Sequence, residues 1–271
     1  MNFIKRLLLI ISAFTFTYTL HAQFSVYALA GTMNYGGDLQ SKKFTFNQAH
    51  PAFGIGVTYK FYNHFSVAYS LLAGKISASD SKSNSPDRVQ RNLNFSSSIG
   101  EANLTVEASL KDVPSSAKFS PYVFAGIGLF RFNPYTFDSA GTKVYLQPLN
   151  TEGQGLAQYD RKSYNLTQFS FPFGLGVKYA LTNKITIGAE VSFHKIFTDY
   201  LDDVSSRSYA DTALLNSTYG PVSAALSFRG DELNPPTSIN TIRGNPSKKD
   251  TYYSCLIKVT YSLQQLNVFK Y

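Results

Sequence analysis

The side chains best suited to chemistry lie close together. Ser192, His194 and Asp199 place a hydroxyl, an imidazole and a carboxylate in one short stretch. In nucleophilic catalysis these groups act together, the ring taking the hydroxyl proton while the carboxylate fixes the ring. Nothing in the spacing holds them in mutual geometry, and no nucleophile motif frames the serine. Asp199 also opens the turn DYLDD, in which Asp199, Asp202 and Asp203 could offer oxygen ligands to calcium. The spacing is not that of an EF-hand, which favours a solvated or interaction-forming loop over a metal site. His50 and His64 have no partner at metal-ligand spacing, and no glycine-rich phosphate loop occurs. The expectation is therefore no cofactor, no metal and no enzyme. A lipid- or peptide-cleaving site at Ser192 and His194 is the alternative, and alanine at those positions would expose it.

What must position these groups is a set of strands. Helical periodicity is scarce, whereas strict alternation recurs. Ile185, Ile187, Ala189, Val191 and Phe193 interleave with Thr186, Gly188, Glu190, Ser192 and His194. The same pattern runs over 53–61, 169–179 and 253–263. Each covers about ten residues, the length a tilted strand needs to cross a bilayer. Weaker alternation at 24–33, 65–76, 93–110 and 119–132 brings the number to about eight, the even count of the smallest transmembrane barrels.

Composition and connections favour a closed barrel over a soluble sandwich. Phe and Tyr supply all of the 15% aromatic content, yet mean hydropathy is slightly negative. Alternating lipid-facing and lumen-facing side chains average to such a value. Short connections at 62–64, 111–117 and 181–183 alternate with long ones at 34–51, 77–92, 133–165 and 198–250. Long structureless connections are uncommon in compact soluble domains. An outer-membrane barrel has them outside, with short turns in the periplasm, so both termini belong to the periplasmic side.

Residues 1–22 read as a cleavable export signal, with Lys5 and Arg6, an apolar run from Leu7 and a cut after Ala22. The barrel domain is then 23–271. No later segment has the roughly 20 apolar residues of a spanning helix, and the lone Cys255 excludes an internal disulfide. The net charge is +8, or 8 − 2 = +6 without the signal's two cations. It is too dispersed for nucleic acid; attraction to anionic lipopolysaccharide or to acidic partners fits better.

A barrel this small is filled by its own side chains. If the last hairpin pairs 197 with 251, cross-strand numbers sum to 448, and 190 + 258 = 448 sets Glu190 opposite Lys258 inside the wall. The pair predicts a neutralised buried charge, with a gate or ion path as the alternative. Gly54, Gly56, Gly126, Gly128, Gly174, Gly176 and Gly188 fall mostly on the inward face, where a tight sheet leaves least room. Pro172 must sit where its missing N–H is tolerated.

Six strings occur in order: NYGGDL at 34–39, SPYVFAGIGLFRFNP at 120–134, LQPLNTEGQG at 146–155, PFGLGVKY at 172–179, FTDYLDDVS at 197–205 and RGNPSKKDTYY at 243–253. Together they closely resemble the PorG-like outer-membrane β-barrel family of Bacteroidota, a DUF6089-type domain. The resemblance implies a non-enzymatic component of the type IX secretion system. Such a barrel associates with a periplasmic ring, built from a lipoprotein and its partner protein, and ties that ring to the outer membrane. The docking surface is then expected on the periplasmic turn carrying Lys111, Asp112 and Lys118, or on the tail at 264–271. A surface adhesin or ligand-binding barrel is the competing reading. The long last loop, 214–240, matches none of the six strings.

Overall fold

The alternating segments are strands, and eight of them close on themselves. Residues 23–40, 44–239 and 242–263 are described by the computed structural model. The wall consists of β1 (Gln23–Gly36), β2 (His50–Tyr62), β3 (Phe65–Ser79), β4 (Asn94–Ser109) and β5 (Phe119–Arg131), followed by three later strands. These are β8 (Thr167–Ala180), β9 (Ile185–Ile196) and β10 (Thr251–Leu263). All pairings are antiparallel, in the order β3-β2-β1-β10-β9-β8-β5-β4, and a β3–β4 ladder closes the ring. The expected signal at 1–22 and the tail at 264–271 lie outside the described residues.

Alternation explains which way each side chain points. Outward positions such as Phe53, Ile55, Val123, Ile127, Phe169 and Leu175 are each more than half exposed. An apolar ring this continuous is far larger than the patches water tolerates on a monomer, and it is the belt that a barrel presents to hydrocarbon. Phe24, Tyr59, Phe61, Phe65, Phe119 and Tyr179 border it at the short-turn end, and Phe169, Phe171, Phe173 and Phe193 at the other. No helix among the described residues is long and apolar enough to cross a membrane.

The strands run 12 to 16 residues, whereas crossing a bilayer needs about 9–11. The surplus rises at the long-connection end. There Tyr35, Ile76, Phe95, Phe130 and Tyr252 turn into the barrel and join Leu39, Phe132, Leu146, Leu201 and Leu226 from the loops in one hydrophobic core. The long connections are therefore a folded cap. They contain a hairpin of β6 (Pro134–Phe137) and β7 (Lys143–Tyr145), which extends the outer end of β4. They also contain three short helices, α1 (Pro86–Arg91), α2 (Thr212–Tyr219) and α3 (Pro221–Ser227). Proline at the first turn starts α1 and α3, and the Asp211 carboxylate accepts from the Leu214 amide to cap α2.

One register differs from expectation. Thr251 pairs with Lys195 rather than with 197, so numbers across the last hairpin sum to 251 + 195 = 446. Lys258 stands opposite Gly188, and Glu190 opposite Leu256. A slip of two keeps every side chain on its face, because the strand period is two.

Candidate functional site

The lumen holds a charge cluster at its middle. Glu107 from β4, Lys178 from β8, Glu190 from β9 and Lys258 from β10 converge there with Tyr122 from β5. Lys258 Nζ lies 3.5 Å from Glu107 Oε2 and 3.7 Å from Glu190 Oε2. The expected Glu190–Lys258 contact is thus present, diagonally instead of directly across. Lys178 donates to Glu107 Oε1, and the Tyr122 hydroxyl donates to Glu190 Oε2 at 2.7 Å. Lys258 also rests over the Tyr27 ring, 4.5 Å from its centroid. Two cations meet two carboxylates, which removes the penalty of an unpaired charge inside the barrel.

Space around the cluster is small. A Cβ on Gly56 would lie 2.3 Å from the Tyr27 ring, and one on Gly176 would lie 2.6 Å from that of Tyr122. These glycines let the two rings lie flat across the lumen. Cavities of about 40 and 90 Å³ remain above and below the cluster, which forms the wall between them. Sequence reasoning found Glu190 and Lys258 but missed Glu107, Lys178 and Tyr122. The signal was present: Glu101, Asn103, Thr105 and Glu107 alternate on the inward face of β4, and Lys178 shares the inward row of Gly174 and Gly176.

The hydroxyl–imidazole–carboxylate constellation exists with a different acid. Ser192 Oγ lies 3.1 Å from His194 Nε2, and His194 Nδ1 lies 2.9 Å from Glu101 Oε2. Asp199 takes no part; its Oδ2 accepts from Ser205 Oγ at 2.8 Å. The position of Glu101 across the barrel could not be read from spacing alone. Ser170 Oγ donates to Glu101 Oε1 at 2.5 Å, and Tyr252 stacks on the imidazole at 4.4 Å. Ser192, His194 and Glu101 are 4%, 1% and 4% exposed. The adjoining cavity of about 40 Å³ has room for little more than water. Chemically the trio can relay a proton and lock the rim.

The acidic turn is buried, which corrects its reading as a solvated loop. Asp202 accepts from the Tyr35 hydroxyl at 2.5 Å and from the Val204 amide at 2.9 Å. Asp203 accepts from Thr151 Oγ1 at 2.5 Å and from the Tyr164 hydroxyl at 2.7 Å. Asp250 joins them, 3.0 Å from the Tyr35 hydroxyl. Burial pushes Asp199 and Asp203 up to about 6, the latter against the pull of Arg243. Burial pushes Asp202 and Asp250 well above the usual carboxylate range, and each faces further buried acids that raise it more. Among the described residues no group of three or more metal-ligating side chains is arranged to hold an ion.

Two buried arginines tie this cap together. Arg243 donates to Glu152 Oε1 at 2.7 Å and to Thr151 Oγ1 at 2.9 Å. Arg91 grips Asp80 with two nitrogens, at 2.7 and 2.8 Å, and donates to the carbonyls of Asp38 and Arg243. Each of the four long connections contributes a partner.

The mouth at the short-turn end is simpler. The connection 110–118 folds back beneath the barrel, and Val113 and Pro114 line the 90 Å³ cavity. Asp112 pairs with Lys60 of β2, so its carboxylate faces the lumen, while Lys111 and Lys118 are exposed.

The solved structures similar to this chain include Neisserial surface protein A, at 13% identity and a TM-score of 0.44, covering 88% of this chain and 96% of that one. Ail, the attachment invasion locus protein of Yersinia pestis, is similar at 9% identity and a TM-score of 0.43, covering 89% and 99%. The N-terminal β-barrel domain of Pseudomonas aeruginosa OprF is similar at 10% and 0.39, covering 89% and 99%. The closed ring itself stands on the strand register described above. No curated protein matches the sequence. The string at 243–253 and the last strand fall beyond the range of the family match, which spans 4–220. Over that range the sequence matches the family described as Domain of unknown function (DUF6089), and the chain belongs to that family.

Proposed function

We propose that this barrel is a non-enzymatic outer-membrane component of the type IX secretion system, anchoring a periplasmic ring. The observation that carries the reading is a lumen interrupted midway by the charge cluster and covered at both mouths. Such a barrel passes no folded cargo, so its value lies in what it holds in place. The apolar belt supports residence in the outer membrane after removal of 1–22. The resemblance of the six strings to the PorG-like barrels supports the particular machine. The short turns and the first and last described residues of the wall, Gln23 and Leu263, share one side, which is taken as the periplasmic side. Lys111 and Lys118, exposed on the longest of those turns, are the charged contacts offered to the ring.

The test is a deletion strain assayed for secretion of type IX cargo, with pull-down of the tagged barrel. Loss of cargo from the medium and recovery of the ring lipoprotein and its partner are expected. Normal secretion without ring proteins in the pull-down would refute the proposal. Crosslinks from 199–245 alone, and never from 110–118, would reverse the docking side.

A further inference from the structure

On one side the cap reaches over the rim onto the outer face of the wall. Phe173, Phe193 and Tyr253, on neighbouring strands, form an aromatic patch at the outer border of the apolar belt, with centroids 5.7 and 6.3 Å apart. The Tyr253 hydroxyl donates to the Thr45 carbonyl and accepts from the Thr45 amide, each at 2.7 Å. This pins the first loop against the outside of the barrel. It sets Phe44 edge-on to Phe193 and Tyr253, at 5.5 and 5.4 Å. Between loop and wall lies a cavity of about 370 Å³, within the roughly 300–1,000 Å³ of ordinary ligand pockets.

The exposed charges at its edge are positive. Lys195 is the next outward residue of β9 after Phe193, and Lys248 and Lys249 lead into β10. All three are exposed, and among the described residues no ion pair joins them to a carboxylate. Lys249 donates to the Pro246 carbonyl at 3.3 Å. Asp250, the acid in the cavity wall, turns inward to Tyr35 and the Leu201 amide.

We propose that this groove binds a phosphate-bearing anionic lipid of the outer leaflet. The acyl chain lies along Phe44, Phe173, Phe193 and Tyr253, and the phosphates sit on Lys195, Lys248 and Lys249. The inference rests on the outer-membrane placement with the long loops outside. The outward row of β9 changes from apolar to Lys195 one step beyond Phe193, which sets the lysines at headgroup depth. A peptide in the same groove would hold its backbone polar groups against an apolar wall at the edge of hydrocarbon. A lipid has no such penalty.

The test uses the full barrel in neutral detergent micelles, with bisphosphorylated lipid A and phosphatidylcholine added at equal concentration and retained lipid read by native mass spectrometry. Lipid A retention is expected to exceed that of phosphatidylcholine by at least about tenfold and to fall to its level when Lys195, Lys248 and Lys249 are all changed to Gln. Phe44→Ala, which leaves the lysines intact, is expected to weaken retention as well. Equal retention of lipid A by wild type and the triple variant would overturn the proposal. So would equal competition by the deacylated bisphosphate headgroup. Flotation of the same samples with phosphatidylcholine vesicles separates the two readings. A barrel that floats without preferring lipid A defeats the groove alone; one that does not float defeats the membrane placement and the groove together.

Discussion

The two mouths of this lumen are closed by different means. The outer mouth is covered by four long connections that share a hydrophobic core with the strand ends and lock around Arg91 and Arg243, both buried. The mouth at the short-turn end is covered by a single turn, tied to the wall by the Lys60–Asp112 pair, whose side chains are 21% and 13% exposed, and by the Lys111 amide donating to Ser120 Oγ at 2.8 Å. A buried, cooperative closure opens only by local unfolding, whereas a partly solvated ion pair opens readily. The barrel is therefore more rigidly closed at its long-connection end than at its short-turn end.

The largest effect that tests this contrast is expected at the outer mouth. Arg243→Met leaves the Glu152 carboxylate buried without its cation, a change worth about 3–5 kcal/mol. Hydrogen exchange at 147–154 and 199–206 should become fast while the wall strands stay protected. Unchanged protection there would show that the cap does not depend on its arginine. A middle-sized effect is expected in the lumen. Glu107→Gln removes the carboxylate shared by Lys178 and Lys258, at about 1.5–3 kcal/mol for charged hydrogen bonds, read as a lower urea midpoint in micelles. Glu190→Gln should cost less, since Glu190 meets one lysine where Glu107 meets two. The reverse order would contradict Glu107 as the centre of the cluster. The smallest effect is expected at the short-turn end, where Lys60→Ala costs at most about 1 kcal/mol. In Thr58→Cys with Cys255→Ser, the new thiol should then react faster from the short-turn side. Unaltered labelling would mean that the turn closes the mouth without the ion pair.

The same contrast explains what the sequence could tell. The wall was legible because a half-buried strand repeats one physical demand every second residue, as in Ile185, Ile187, Ala189, Val191 and Phe193. The inward charges Glu190 and Lys258 were legible for the same reason, and a two-residue slip in register did not separate them. The cap was not legible. Asp202 and Asp203 look solvated in sequence, and their partners Tyr35, Thr151 and Tyr164 lie far away in the chain. Glu101 was missed for the same reason, since only closure of the barrel carries it to His194. Period reveals which face a residue takes; it does not reveal which distant residue shares that face.

The lumen is interrupted midway by the charge cluster and covered at both mouths. Single-channel recording of the purified barrel in planar bilayers tests this closure most directly. No stable unitary conductance is expected across the voltage range that the bilayer tolerates. Large, long-lived conductance steps from the wild-type protein would contradict the filled lumen and return transport to the barrel itself.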